Sequence, residues 1–152
     1  MVKPRLLVAL AAALSLAGCG EGTVSSARFV DSVSGVQLEY TLKSAHAYLA
    51  EYYRTVRVVF ARSQVNFPME MDTGGYLMLN IHRLPDQRLM LFDGAAHILI
   101  DPQRETVVHT NPPSDAAAAE YVGCFDWPQN GAFAFISAGD RSEQKPLMSG
   151  TP

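Results

Sequence analysis

Between Thr55 and Thr110, apolar and polar residues alternate with a period of two, which is the spacing of side chains along a β-strand. Turn-forming residues interrupt this alternation at 72–75, 84–87, 93–94 and 101–104. Strands separated by such short turns cannot be parallel, because a parallel crossover needs about a dozen residues or more. The pattern therefore predicts an antiparallel meander of half-buried strands.

Strand-like segments also flank this central region. Phe29 and Val30 precede a Ser-Val-Ser-Gly turn and a second alternating segment at 36–41, which together predict a first hairpin. Phe125 and the segment 132–136 predict two further strands around a loop that contains Trp127.

Two short helices are predicted beside the strands. Ser44 is a favoured N-cap residue, and the apolar spacing after it predicts a helix that continues to about Tyr53. Ser114 and Asp115 precede an alanine-rich segment that Gly123 terminates, which predicts one or two further helical turns. The expected fold is a single α+β or mostly β domain with a curled or partly closed antiparallel sheet of about six to eight strands.

The N-terminal segment has the composition of an export signal. Lys3 and Arg5 precede an apolar stretch from Leu6 to Leu16 that is too short to span a bilayer. The stretch ends in Leu16-Ala17-Gly18-Cys19, which resembles the lipobox of bacterial lipoproteins. The resemblance covers residues 1–19 only.

The lipobox resemblance implies a signal peptide at 1–18 and a covalent lipid on Cys19. It also implies that Cys19 becomes the first residue of the mature protein, and Gly20 in the next position favours the outer membrane. We expect a lipidated tether at 19–26, a globular domain at 27–138 and a polar, flexible tail at 139–152. The membrane, through this lipid, is the first expected partner.

Charge and cysteine content restrict the mature protein further. Without Lys3 and Arg5, the mature protein has ten basic and fifteen acidic residues. The resulting net charge of −5 argues against nucleic acid as a partner. With Cys19 carrying lipid, Cys124 has no partner for an intramolecular disulfide. The placement of Cys124 after the second predicted helix favours a buried structural thiol over a nucleophile.

Asp72-Thr73-Gly74 resembles the catalytic loop of aspartic proteases, which use two such aspartates sharing a proton. A single copy would require a dimer. The flanking residues depart from that family, with Gly75 after the triplet and Pro68-Met69-Glu70-Met71 before it, so a turn is the preferred interpretation. Ser142 and Lys145 have the Ser-x-x-Lys spacing of penicillin-interacting enzymes, but the other elements of that site are missing from the sequence.

His97 and His109 are weak candidates for metal ligands. A three-residue loop after Asp101 would place them opposite each other on adjacent strands, where two imidazoles could bind zinc or copper. A four-residue turn would shift the register by one residue and separate the pair. No third ligand is identified, although His82 is a further candidate, and no metal site is predicted.

Trp127 lies in a polar loop beside Pro128, and we consider it a candidate for contact with a partner. The alternative is that its indole caps the core.

These observations predict a non-enzymatic, lipid-anchored envelope protein, facing the periplasm from the outer membrane, that binds or supports another envelope protein. No cofactor is expected apart from the lipid on Cys19. The alternative is a periplasmic β-barrel that binds a small molecule or a metal, and a third possibility is an enzyme such as a dimeric aspartic protease.

Overall fold

A computed structural model describes residues 24–46, 49–74, 78–128 and 131–143. The strands in these ranges are β1 (Val24–Val30), β2 (Gln37–Ser44), β3 (Tyr52–Val59), β4 (Gln64–Pro68), β5 (Leu79–Arg83), β6 (Leu89–Phe92), β7 (His97–Asp101), β8 (Thr106–Thr110), β9 (Glu120–Asp126) and β10 (Ala134–Ser137). The predicted single, mostly β domain with antiparallel pairing is confirmed.

The strands are divided between two sheets. The first sheet has the order β1-β2-β3-β4, and the second has the order β10-β9-β5-β6-β7-β8. The chain therefore follows two meanders, and β9 returns to pair with β5 instead of continuing beside β8. These described strands do not join into a closed barrel.

The helix predicted from Ser44 to Tyr53 is wrong. Ser44 is the last residue of β2 and pairs with Tyr52 at the start of β3. The Ser44 hydroxyl donates a hydrogen bond to the His46 carbonyl at 2.6 Å, so it stabilises the link between two strands instead of capping a helix. Strand pairing over eight residues outweighs the local helical spacing in this segment.

The second predicted helix is reduced to a single 3₁₀ turn at Ala116–Ala118. Gly123 lies inside β9 and not at a helix end. Its φ is +149°, and a Cβ at this position would lie 2.3 Å from the Ile136 carbonyl oxygen. The register shifts beside it, between Ile81 and His82. Glycine is required here by the close approach of neighbouring strands at a β-bulge.

The core lies between the facing sides of the two sheets. On the first sheet, alternate residues of β2 and β3 point inward, including Leu38, Tyr40 and Val56. The ring of Tyr40 is fully buried, and its centroid lies 5.7 Å from those of Phe125 and Phe133, which the other half of the chain contributes. Alternation in β2 and β3 therefore supplies the first sheet's side of the core.

Aromatic contacts join the two sheets at both open sides. Phe29 of β1 lies 4.5 Å from Phe135 of β10, measured between ring centroids. On the opposite side, Phe67 of β4 lies 4.7 Å from the ring of His109 on β8. The edge strands of the two sheets are thus brought close together without sharing a hydrogen-bond ladder.

The described domain extends beyond the expected boundaries of 27 and 138. β1 begins at Val24, three residues before the predicted start, and pairs fully with β2. In the predicted tail, Arg141 forms an ion pair with Asp126, and Glu143 lies 3.1 Å from His82. The signal segment, Cys19, the tether as far as residue 23 and the tail from 144 lie outside the described residues.

The strand order defines two ends of the molecule. We call the end where β1 begins the proximal end; it also contains the β2–β3 connection, residues 69–74 and the loops after β6 and β9. The distal end contains the turns at 31–36, 60–63, 84–88 and 102–105.

An ion pair connects the two sheets at the distal end. Asp31 is fully buried in the β1–β2 turn and lies 2.5 Å from the Arg83 guanidinium at the end of β5. Its other oxygen accepts hydrogen bonds from the backbone N–H and the hydroxyl of Ser34. Burial alone would raise the pKa of Asp31, but the hydrogen bonds from Ser34 and Arg83 outweigh it and lower the pKa below the ordinary value of an aspartate.

A carboxylate with a depressed folded-state pKa stabilises the fold above its unfolded pKa and loses that contribution as the pH falls through the folded value. We therefore expect the free energy of unfolding to decrease below about pH 5. Asp31→Asn should lower stability at pH 7 by about 2–4 kcal/mol and flatten the acid slope. Urea unfolding across a pH series measures both effects.

Asp86→Asn is the matched control, because Asp86 pairs with Arg88 on the exposed side of a neighbouring turn. Its loss should cost less than about 1 kcal/mol and leave most of the acid slope in place. An unchanged slope in Asp31→Asn would contradict the role assigned to Asp31.

Candidate functional site

The two predicted metal-ligand candidates lie on opposite faces of the second sheet. His97 pairs with Thr110, and His109 pairs with Ile98, whose side chain is buried in the core. The alternative with a three-residue loop is therefore wrong, because four residues connect Asp101 to Thr106. The Asp101 carboxylate accepts the backbone N–H groups of Gln103 and Arg104, which stabilises the longer turn.

Each of these histidines is held by an aromatic neighbour. The ring of His97 stacks on Phe92 with a centroid distance of 4.5 Å and an interplanar angle of 20°. Burial lowers the pKa of His97, which favours the neutral imidazole. His109 instead lies over Phe67 at the edge of the core.

His82 is buried on the outer face of β5. Its Nε2 lies 3.1 Å from the Glu143 carboxylate, and its ring centroid lies 5.5 Å from that of Tyr121. Its Nδ1 is buried and has no hydrogen-bond partner within the described ranges. Across the part of the chain that the structure describes, no three His, Cys, Asp or Glu side chains converge on a point where a metal ion could bind.

Cys124 lies in the middle of β9 and is fully buried. The predicted position after a helix is wrong, although the expectation of burial is confirmed. Burial raises the pKa of the thiol, against a smaller opposite effect from a hydrogen bond with Tyr121. The raised pKa disfavours the reactive thiolate at neutral pH.

Asp72 forms an isolated antiparallel bridge with Tyr52. The backbone N–H of each residue donates to the carbonyl oxygen of the other at 3.0 Å. Asp72-Thr73-Gly74 thus belongs to the connection between β4 and β5, which leads from the first sheet to the second and does not form the hairpin that the meander pattern predicts. Gly75 lies outside the described residues.

Trp127 lies at the proximal end and is partly buried. Its ring centroid lies 4.6 Å from that of Phe133 and 6.4 Å from that of Tyr52. The backbone N–H of Trp127 also donates to the Asp126 carboxylate at 2.7 Å. The indole therefore covers the proximal end of the core, and contact with a partner stays a prediction.

A buried ion pair at the proximal end is the polar feature that the sequence reasoning missed. The Arg54 guanidinium lies 3.0 Å from the Asp93 carboxylate, and both side chains are more than nine-tenths buried. Nε of Arg54 donates to the Glu70 carbonyl, and Asp93 accepts the backbone N–H groups of Ala95 and Ala96. The sequence contained a sign of this buried arginine, because Arg54 lies two residues before Val56 and therefore on the same inward face of β3.

The second sheet also has an outer face with few charges. In register across β5 to β8, a row of four side chains, which we call the outer row, consists of His82, Met90, Leu99 and Val108. The row is buried at His82 and Met90, and its exposure rises to 47% at Val108. A solvent-facing sheet surface usually carries polar residues at such positions.

The outer face of the first sheet provides a contrast. There, Glu39 lies between Arg28 and Arg57 at distances of 3.2 and 3.7 Å, in a cross-strand ladder that water solvates. The two outer faces of the domain thus have different chemistry, and the apolar one is the candidate for contact with a protein.

Comparison of the chain with protein-family models, with curated proteins and with solved structures finds no match. Among the ranges that the structure covers, no helix has the length and hydropathy needed to cross a membrane.

We expect Asp93→Ala to lower the free energy of unfolding by about 3–5 kcal/mol, because it leaves the Arg54 charge buried without its partner. Arg28→Ala, which removes an exposed pair with Glu39, should cost less than about 1 kcal/mol. Arg54→Met combined with Asp93→Ala should recover part of the loss. Urea unfolding gives the free energy of unfolding of all three proteins. Equal losses in Asp93→Ala and Arg28→Ala would contradict the role assigned to the buried pair.

Proposed function

We propose that the protein is a non-enzymatic lipoprotein of the bacterial cell envelope, anchored in the outer membrane through Cys19, which binds or supports another envelope protein. The observation that carries the anchor is the segment Leu16-Ala17-Gly18-Cys19 after a charged and apolar leader. Its position supports the proposal, because only residues 20–23 separate Cys19 from the first strand.

The outer row supports a role in binding. It leads from the covered side chain of Met90 to the exposed side chain of Val108, close to the edge of the second sheet. Burial of this surface against a partner would gain roughly 25 cal/mol for each Å² of apolar area removed from water. The metal-binding alternative has lost its main support, because His97 and His109 do not face each other.

The lipid anchor is tested by Cys19→Ser. In the wild-type protein, mass spectrometry of the mature N-terminus should show a diacylglyceryl group on Cys19, and the protein should remain with the membrane after a high-salt wash. The variant should lack the lipid and lose its place in the membrane fraction, because no other acyl chain holds it. Cys124→Ala is the matched control and should keep the anchor.

A Cys19→Ser protein that carries no lipid and still stays with the membrane as completely as the wild type after the high-salt wash would contradict the proposal.

The binding surface is tested by a photo-crosslinking residue placed at Val108 in the cell that makes the protein. We expect a discrete adduct with one envelope protein, because Val108 is the exposed end of the outer row. The same residue at Gln37, exposed on the outer face of the first sheet, should give no such adduct. Equal labelling patterns at the two positions would contradict a binding role for the outer row.

A further inference from the structure

Four of the seven large apolar side chains that are exposed in the described part of the chain lie at the proximal end of the molecule. Val24, Leu49, Tyr53 and Met71 are 58%, 57%, 57% and 42% exposed, and we call them the proximal patch. Val24 starts β1, Leu49 lies in the connection between β2 and β3, and Met71 precedes the bridge that Asp72 forms with Tyr52. All four therefore lie where the first sheet begins.

Part of this patch is a single rung of the first sheet. Val24 pairs with Lys43, and Lys43 pairs with Tyr53, so these three side chains share one face at the last rung of β1, β2 and β3. An exposed tyrosine beside an exposed lysine is the combination that favours the water–lipid interface, where the ring lies among headgroups and the ammonium reaches lipid phosphates.

Charged side chains at the two ends differ in their exposure. The distal end carries the ion pairs of Arg62 with Glu105 and of Arg104 with Asp101, and both guanidinium groups are at least 80% exposed. At the proximal end, the exposed charges among the described residues of the first sheet are Lys43 and Glu70, and His46 lies 3.3 Å from the Glu51 carboxylate. The distal end also exposes Val30 and Val33, so the contrast between the two ends lies in its largely exposed arginines.

The length of chain before β1 specifies which surface the proximal patch can reach. From Cys19 to Val24 the backbone extends at most about 18 Å, even when fully stretched. With the lipid of Cys19 in the membrane, the start of β1 cannot move further than this from the bilayer surface. A tether of this length keeps the proximal patch next to lipid headgroups.

We propose that the proximal patch is a second membrane contact, which inserts Leu49 and Tyr53 into the lipid interface and holds the strands upright on the bilayer. The inference rests on the proposed lipid anchor at Cys19. In this orientation, the proximal patch contacts lipid. The outer row then faces parallel to the membrane plane, where an envelope protein could reach it. The distal turns are then the part of the domain furthest from the membrane.

The test uses the full lipidated protein in vesicles of phosphatidylethanolamine with phosphatidylglycerol as the minor component. Leu49→Cys and Tyr53→Cys are each labelled with an environment-sensitive fluorophore, and quenching by lipids with a nitroxide near the headgroup is measured. Val33→Cys is the matched control, since Val33 is also an exposed apolar residue but lies in the distal turn, about 20 Å or more along the strands. Unsubstituted protein controls for labelling of the buried Cys124.

We expect nitroxide lipids to remove most of the emission at positions 49 and 53 and little of it at position 33. Equal, weak quenching at all three positions, in protein that still floats with the vesicles, would overturn the second contact and leave the anchor intact. A mature chain without lipid that fails to float would overturn the anchor and this inference with it. Quenching at positions 49 and 53 that disappears when the lipid on Cys19 is cleaved would support the dependence on the anchor.

A protein partner on the same patch predicts a different result. Labels at positions 49 and 53 would then be shielded from a water-soluble quencher only after envelope proteins are added, without quenching by nitroxide lipids. This outcome would overturn the assignment to lipid.

Discussion

The burial of one sheet face against the other is the interaction on which the rest of the structure depends. Strands of both sheets turn apolar side chains inward, so neither sheet could remain in water alone without exposing them. Tyr40 illustrates the result, because its ring lies between the sheets and contacts Phe125 and Phe133. With no disulfide among the described residues, this packing supplies the main stabilisation.

Buried charges connect the two sheets at both ends of this core. Asp31 of the first sheet's hairpin reaches Arg83 of the second sheet at the distal end, and Arg54 reaches Asp93 at the proximal end. Both acids also accept backbone N–H groups of their own turns. Each pair therefore links turn geometry to the relative position of the sheets, because a displaced sheet would leave a charge buried without its partner.

The surface of the domain is polarised in two directions. From end to end, the rung of Val24, Lys43 and Tyr53 contrasts with the largely exposed arginines of the distal turns, where Val30 and Val33 are also exposed. From face to face, the Glu39 ladder of the first sheet contrasts with the outer row of the second. The proposed lipid anchor would place lipid at the proximal end and other proteins beside the sheets.

Several features followed from the sequence alone. Alternation from Val56 to Phe60 predicted a strand, because a side-chain period of two is the spacing of a β-strand. The short turns after it predicted antiparallel pairing, because a parallel crossover needs a longer connection. Burial of the Cys124 thiol was also predicted, although from a helix position that the structure replaces with β9. The lipobox resemblance, which concerns residues outside the described domain, came from four adjacent residues and needed no fold.

Other features were decided only by tertiary structure. The segment from Ser44 to Tyr53 has helical spacing, but pairing with neighbouring strands prevailed because a ladder satisfies backbone groups over a longer stretch than one short helix. A single residue in the Asp101 turn separated His97 from His109. The pairing of Arg54 with Asp93 joins residues far apart in the chain, so local patterns could signal an inward arginine but could not name its partner.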